Sequence, residues 1–336
     1  MITQGRQTGF TTAAPEGGVL PAEVRQVFER SFVCEYTSLT RAGRPVTWPV
    51  TPYVGRDGTL DVTTGLSYPD KAERARRDPR VALLYSDPAG SGLDRPPVVL
   101  VQGRAAVRDA DLQANTDRYV REALAKAGSG LAGAPLFLLR GLTWYFARVY
   151  VEVTPERVTW WPGGDLSAAP RTWACPSGTS FARSDPAPSG PRLPSRSAAP
   201  VDWRPYAARA MGLGAPVVSM VADGLPVTVR ARSVVRTRRG FEVLLPAGVT
   251  GAPGPVCLTF HRSSGTGGQE HVVLLGSTTG SGDLLEVEVE RALNDWSLSG
   301  GTVGRTWSFL RHAKELRKRV RAEAARRDQP VPVVRR

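Results

Sequence analysis

Thr63-Thr64-Gly65-Leu66-Ser67-Tyr68-Pro69-Asp70-Lys71 leads into residues 72–77 and then Asp78-Pro79-Arg80. The stretch reads as the end of a strand, a glycine turn, and a short helix with hydroxyls and one lysine at its start. Asp78-Pro79 stops that helix, because the residue before a proline avoids the helical region. A strand, Val81-Ala82-Leu83-Leu84-Tyr85, follows at once. Backbone N–H groups and the dipole favour negative charge at a helix N-terminus. Thr63, Thr64, Ser67 and Lys71 are therefore candidate donors to an anion. The competing reading is plain: an N-cap serine, a solvated lysine and two threonines with good strand propensity.

Around this corner the chain reads as strands. A short amphipathic helix is expected near 21–32, from Val24, Val27, Phe28 and Phe32. Strands follow over 33–40, 45–54 and 59–64. Asp57-Gly58 marks a hairpin turn between the last two. Residues 98–107 form a long strand whose Gly103 suggests a bulge. Asp109 is expected to cap a helix reaching about residue 127. A short helix at 136–145 precedes strands at 146–153 and 157–161, with a turn at Thr154-Pro155-Glu156. The Trp160-Trp161 pair reads as an edge or interface anchor.

Residues 162–200 are rich in Pro, Ser, Gly and Ala and read as a linker, with Trp173 tacking part of it down. A helix at 202–211 and six strands between 217 and 290 follow. The five domain segments are thus a loose N-terminus (1–20), a first lobe (21–161), the linker, a second lobe (201–304) and a basic helix and tail (305–336).

The two lobes repeat. Gly43-Arg44-Pro45-Val46-Thr47 matches Gly224-Leu225-Pro226-Val227-Thr228. The strands after each match keep the same order, and Val98 to Gly103 corresponds to Val272 to Gly276. The second lobe has only residues 246–255 where the first has its turn and helix. One occupied site per chain is therefore expected, in the first lobe.

Bulk properties narrow the function classes. The 336-residue chain has 41% hydrophobic residues and a formal charge of +13, enough length for two cores. Residues 305–336 carry eleven Lys/Arg against Glu315, Glu323 and Asp328, so most of the basicity belongs to the tail. That tail reads as a solvated basic helix with a thin apolar stripe (Trp307, Leu310, Leu316, Val320), which argues against a nucleic-acid-binding core. Three scattered cysteines indicate neither a zinc site nor a disulfide framework and suit a reducing cytoplasm. No signal-peptide pattern or membrane span is read. The Ala/Gly/Arg/Pro bias suggests a high-GC bacterial genome. His261 and His271 lie on expected second-lobe strands and lack a further ligand at metal spacing, so they read as structural.

The order C-E-Y-T-S-L-T-R-A-G-R-P, P-V-T-P, D-G-T-L-D-V-T-T-G, S-x-x-x-K, R-R-D-P-R-V-A-L-L-Y and V-V-L-V-Q-G-R-A resembles the pyridoxamine 5′-phosphate oxidase-like split β-barrel family. That family includes flavin- and deazaflavin-dependent oxidoreductases. The resemblance covers about residues 21–161 and recurs weakly over 215–296. It implies a mainly β fold with some α, two split-barrel lobes, and an FMN cofactor, with deazaflavin as the alternative and haem ranked below both. It further implies that Trp48, Pro49 and Val50 face the cofactor ring, that Thr63, Thr64, Ser67 and Lys71 hold its phosphate, and that Gln102 contacts it. The family's R-x-V-L-L-K run is missing its lysine in the region of residues 44–50, which counts against a vitamin substrate. Family sites form between two barrels of a homodimer, so either a homodimer or the second lobe would complete this one. The expected activity is hydride transfer to or from a small molecule. No catalytic residue and no metal ligand is assigned, and a non-catalytic flavin or haem binder (storage or sensing) is the alternative.

Overall fold

The computed structural model describes residues 18–55, 57–127, 136–191, 200–263, 269–293 and 302–335. The first lobe opens with α1 (Ala22–Arg30), which buries Val24, Val27 and Phe28 at the spacing read from sequence. Its strands are β1 (Cys34–Leu39), β2 (Pro45–Val50), β3 (Pro52–Val54), β4 (Leu60–Gly65), β5 (Arg80–Tyr85), β6 (Val98–Arg108), β7 (Arg148–Trp161) and β8 (Arg171–Ala174). Helix α2 (Asp70–Arg77) joins β4 to β5. Helices α3 (Leu112–Ala127), α4 (Leu136–Gly141) and α5 (Thr143–Phe146) join β6 to β7. The second lobe has α6 (Ala207–Gly212) and strands β9 (Val217–Ala222), β10 (Leu225–Arg230), β11 (Ser233–Arg236), β12 (Gly240–Leu244), β13 (Gly254–Ser263), β14 (Gln269–Thr278) and β15 (Leu284–Ala292). Helix α7 (Thr302–Arg326) closes the chain.

The first sheet runs β2-β1-β5-β6-β7-β4-β3, with β8 paired on β7, and the second runs β10-β9-β13-β14-β15-β12-β11. Adding eight to each strand number of the first order gives the second. The fold is therefore two curled antiparallel half-barrel sheets of one topology, as the internal repeat implies. Gly103 and Gly276 occupy matching places, each beside a register shift against the next strand. A Cβ at either would meet a backbone carbonyl, Thr154 O at 2.4 Å or Glu288 O at 2.1 Å, which is why both lobes need glycine there. That bulge also corrects the turn expected at Thr154-Pro155-Glu156. The residues stay inside one long strand, where the extra residue absorbs the proline.

The lobes are joined by a shared interior. Ala82, Leu84, Val98, Leu100 and Trp161 of the first lobe belong to the same apolar cluster as Val218, Phe241 and Phe260 of the second. At the centre Thr37 pairs with Thr47 across β1 and β2, and Ser219 pairs with Thr228 across β9 and β10. Their four buried hydroxyls close a ring. Thr37 lies 2.7 Å from Thr47 and 2.7 Å from Thr228, while Ser219 lies 2.5 Å from Thr47 and 3.1 Å from Thr228. Four donors serve four bonds, so every hydroxyl is satisfied without water.

Beside the ring, buried Glu35 ties the lobes ionically. Its Oε1 accepts from Ser86 Oγ at 2.7 Å, His261 Nε2 at 2.5 Å and Arg230 Nη2 at 3.2 Å. Burial alone would raise this carboxyl. The charges of His261 and Arg230 and the Ser86 hydrogen bond outweigh it and hold the group below the ordinary carboxylate range.

Two segments are more tightly held than their composition suggests. In the described part of the 162–200 segment, β8 extends the first sheet, and the Asp185 carboxylate accepts from the backbone N–H groups of Asp109 (2.7 Å) and Ala110 (2.8 Å). Helix α7 is solvated on its basic face, where Lys314, Arg317, Lys318 and Arg321 are exposed, and packed on its apolar one. Ala313, Val320 and Ala324 enter the first-lobe core. Arg326 and Arg327 pair with Glu73 and Glu323, and Arg327 also pairs with Asp109. Asp109 is spent there and on Arg76, so Asp111 caps α3 instead, accepting from Ala114 N at 2.8 Å. Residues 1–17 and the side chains of Trp307, Leu310 and His312 lie outside the described residues.

Two outcomes follow from these buried charges. A folded carboxyl held low contributes stability that is present above its unfolded value, about 4.3 for glutamate, and lost as pH falls through the folded value. Thermal melts between pH 3 and 7 should show Glu35→Gln about 3 kcal/mol less stable at pH 7 and with a shallower acid limb than the native chain. Equal acid limbs would remove Glu35 from this role. Asp109→Ala leaves Arg76 and Arg327 buried without their carboxylate and should cost about 3 kcal/mol in denaturant titrations. A change below about 0.5 kcal/mol, the size of an ordinary surface substitution, would contradict it.

Candidate functional site

The turn from Gly65 to Lys71 closes one end of the first half-barrel. Pro69 stands at the helix N-cap position with no side-chain cap, so Ser67 is not an N-cap serine. Ser67 is buried, two residues ahead of α2. Strand alternation sends Thr63 and Thr64 to opposite faces of β4. Thr64, on the face of Leu60 and Val62, donates its hydroxyl to Tyr68 O at 3.1 Å and so fixes the turn. Thr63 lies opposite Tyr150 on the other face.

Two clusters form at the ends of this turn. At one end Gly65 pairs with Arg148 of β7. A Cβ on Gly65 would sit 3.6 Å from both Ser67 Oγ and Arg148 Nη1, so the bare Cα leaves a notch between a hydroxyl and a cation. Arg148 is held in place by ring contacts, its guanidinium 4.5 Å from the Tyr119 ring centroid and 4.8 Å from that of Tyr145. The Tyr119 hydroxyl is pushed up to about 12, by burial first, with Arg148 acting against it. At the other end Lys71 Nζ stands 6.0 Å from the Trp48 ring centroid. Trp48 meets His271 of the second lobe edge-on at 5.6 Å. Helix α7 adds Arg319, stacked 4.3 Å over Tyr68 between the two clusters.

The remaining residues predicted from sequence lie elsewhere on the same sheet. Pro49 stands across from Glu35, and Val50 across from Cys34. Gln102 shares a lateral row with Ala82, Thr37 and Thr47, which faces the second lobe. Its Nε2 donates to Pro226 O at 3.0 Å, and its Oε1 is buried without a partner among the described residues. So Lys71 and Trp48 meet at one end of the turn and Ser67 stands near Arg148 at the other, while Gln102 belongs to the interlobe face. Arg148, Arg319 and His271 were not legible as site residues. Each reaches the corner through strand pairing or lobe packing that no local pattern encodes.

The equivalent place in the second lobe is closed. Val229 occupies the position of Trp48 and Val98 that of His271, and both lie in the shared apolar cluster with Trp161. Trp161 Nε1 donates to Ala247 O at 3.1 Å, and a Cβ on Gly248 would press on the Pro170 ring at 2.7 Å. The short second-lobe loop is thus clamped onto the first lobe where a turn and helix would otherwise stand.

No family model and no curated protein matches the chain. Solved structures do. A Clostridium acetobutylicum protein related to general stress protein 26, of the pyridoxinephosphate oxidase family, is 14% identical, with 45% of this chain and 92% of that one covered and a TM-score of 0.31. A pyridoxamine 5′-phosphate oxidase-related, FMN binding protein from Nostoc punctiforme is 12% identical, with coverages of 44% and 87% and a TM-score of 0.30. A conserved hypothetical protein from Mycobacterium tuberculosis is 21% identical, with coverages of 45% and 91% and a TM-score of 0.32. Each likeness spans less than half of this chain. No described helix is long and apolar enough to cross a membrane.

Proposed function

We propose that the first lobe binds a phosphate-bearing flavin-type cofactor, FMN or a deazaflavin, and uses it for hydride transfer to or from a small molecule. The observation that carries this reading is the turn itself. It sets Ser67 near Arg148 of the neighbouring strand at one end and Lys71 beside Trp48 at the other. The donor set suits an anion, because charge-assisted hydrogen bonds from a guanidinium, an ammonium and a hydroxyl are the strong ones for phosphate. Trp48 offers a flat apolar wall next to that charge. The unpartnered Gln102 Oε1 is a further acceptor on the sheet that bears them. Two structural neighbours, one FMN binding and one of the pyridoxinephosphate oxidase family, agree with this choice.

A bound flavin would supply the redox chemistry. The chain's part is to orient and shield it. Lys71 and Arg148 hold the anionic end, Ser67 donates to it, and Trp48 with His271 walls off water from the second-lobe side. The second lobe takes the place a partner subunit would fill in a homodimeric barrel. A cytoplasmic setting fits a chain with three unpaired cysteines.

Absorbance of the purified chain distinguishes flavin, deazaflavin and haem. Reduction of the bound chromophore by NAD(P)H, followed by turnover of an acceptor, supports the enzyme over a storage or sensing protein. Lys71→Ala should weaken FMN binding by about tenfold, the worth of one charge-assisted hydrogen bond, with the melting temperature unchanged. A colourless chain that takes up none of the three chromophores, or equal affinity in Lys71→Ala, would overturn the proposal.

A further inference from the structure

Two hollows flank the Ser86-Asp87 dipeptide where β5 leaves the interlobe face. The first, about 240 Å³, is lined by Ser86, Asp87, Arg230, His261, Arg262 and Ser263. The second, about 210 Å³, shares Ser86 and Asp87 and is walled by Val27, Tyr85, Pro96 and Pro97. One hollow is polar and spans both lobes; the other is largely apolar and lies under the loop from residue 86 to 97. Side by side they reach the lower range of ligand pockets, roughly 300–1,000 Å³. Neither shares a residue with the Gly65–Lys71 turn.

Each hollow is lined by a residue that carries a buried polar atom with no partner among the described residues. In the first it is His261 Nδ1, on a side chain with no exposure. In the second it is the hydroxyl of Tyr85, a residue 3% exposed. Leaving such atoms unmade costs about 1–3 kcal/mol each, so two beside adjoining hollows call for an explanation. The His261 ring has its Nε2 committed to Glu35, which leaves Nδ1 as the atom available to a ligand. Arg262 is exposed at the rim, with Nη2 donating to Gly212 O at 2.6 Å. Backbone strain marks the same place, since Arg95 at the second hollow has φ 40°, a conformation that a non-glycine residue adopts at a cost.

We infer that the joined hollows bind a small molecule carrying one carboxylate or phosphate group on a flat apolar body. The anionic group lies against Arg262, beside the His261 ring. The body lies between Val27, the Tyr85 ring and the two prolines, and a polar substituent on it meets the Tyr85 hydroxyl. Asp87 stands at the junction, its carboxylate accepting from Ala89 N at 3.0 Å and Ser263 N at 3.3 Å.

The test uses the full chain and three probes, 4-hydroxybenzoate, 4-hydroxyphenyl phosphate and neutral 4-hydroxybenzyl alcohol, with affinities read by calorimetry. At least one anion should bind at millimolar concentration or below, and which one distinguishes a carboxylate from a phosphate ligand. Arg262→Ala, at the exposed rim, should weaken the anion by about tenfold and leave the alcohol unchanged. Tyr85→Phe, which removes only the unpartnered hydroxyl, should weaken all binding probes while the melting temperature holds. Lys71→Ala should change none of them, which separates this site from the cofactor corner. Failure of both anions to bind, or equal anion affinity in Arg262→Ala, would overturn the inference.

Discussion

The structure depends on a ring of four hydroxyls. Thr37, Thr47, Ser219 and Thr228 are buried where the two sheets meet, and each bonds to two others. Such a ring is costly to bury if any member is missing and inexpensive when complete. It fixes the register of β1 and β2 against β9 and β10, because a one-residue slip would turn every hydroxyl away. Two equivalent residues from each lobe make the ring, so it sits where a two-fold axis would pass between two copies of one subunit. The chain carries two sheets of one strand order that meet through equivalent strands.

Covalent joining lets the halves diverge. In the first lobe the turn before α2 carries Ser67 and Lys71, and β7 supplies Arg148. In the second, a short loop is clamped against Trp161 and Pro170, and valines replace the site's aromatic residue and histidine. The second lobe gives the first a surface to pack on, the His271 edge against Trp48, and the Arg230 and His261 contacts to Glu35. The basic C-terminal helix serves the same lobe. At its end Arg326 and Arg327 are spent on Glu73 and Asp109.

The fold was legible where local rules act alone. Alternation, turn glycines and the repeat located the strands, and Gly103 marked a bulge. Pairing fixed what those rules left open. The Thr154-Pro155-Glu156 stretch looks like a turn, yet it lies within a strand because the bulge opposite Gly103 absorbs it. Residues 162–191 have linker composition, but Asp185 accepts hydrogen bonds that tie them to the first lobe. The corner's near-sequence members, Ser67 and Lys71, stood out by spacing. Arg148 could not, since its place beside Gly65 follows from β4 pairing with β7 across more than eighty residues. Glu35 and His261 looked like an ordinary strand residue and a structural histidine because the contact between them crosses the lobes.

The central claim is that one chain holds a complete dimer-like frame with a single working corner. Flavin stoichiometry, read together with sedimentation mass, tests it most directly. Titration of the chain with FMN should saturate at one flavin per chain while the chain sediments as a monomer of 36.2 kDa. Two flavins per chain, or binding that appears only when chains associate, would contradict it.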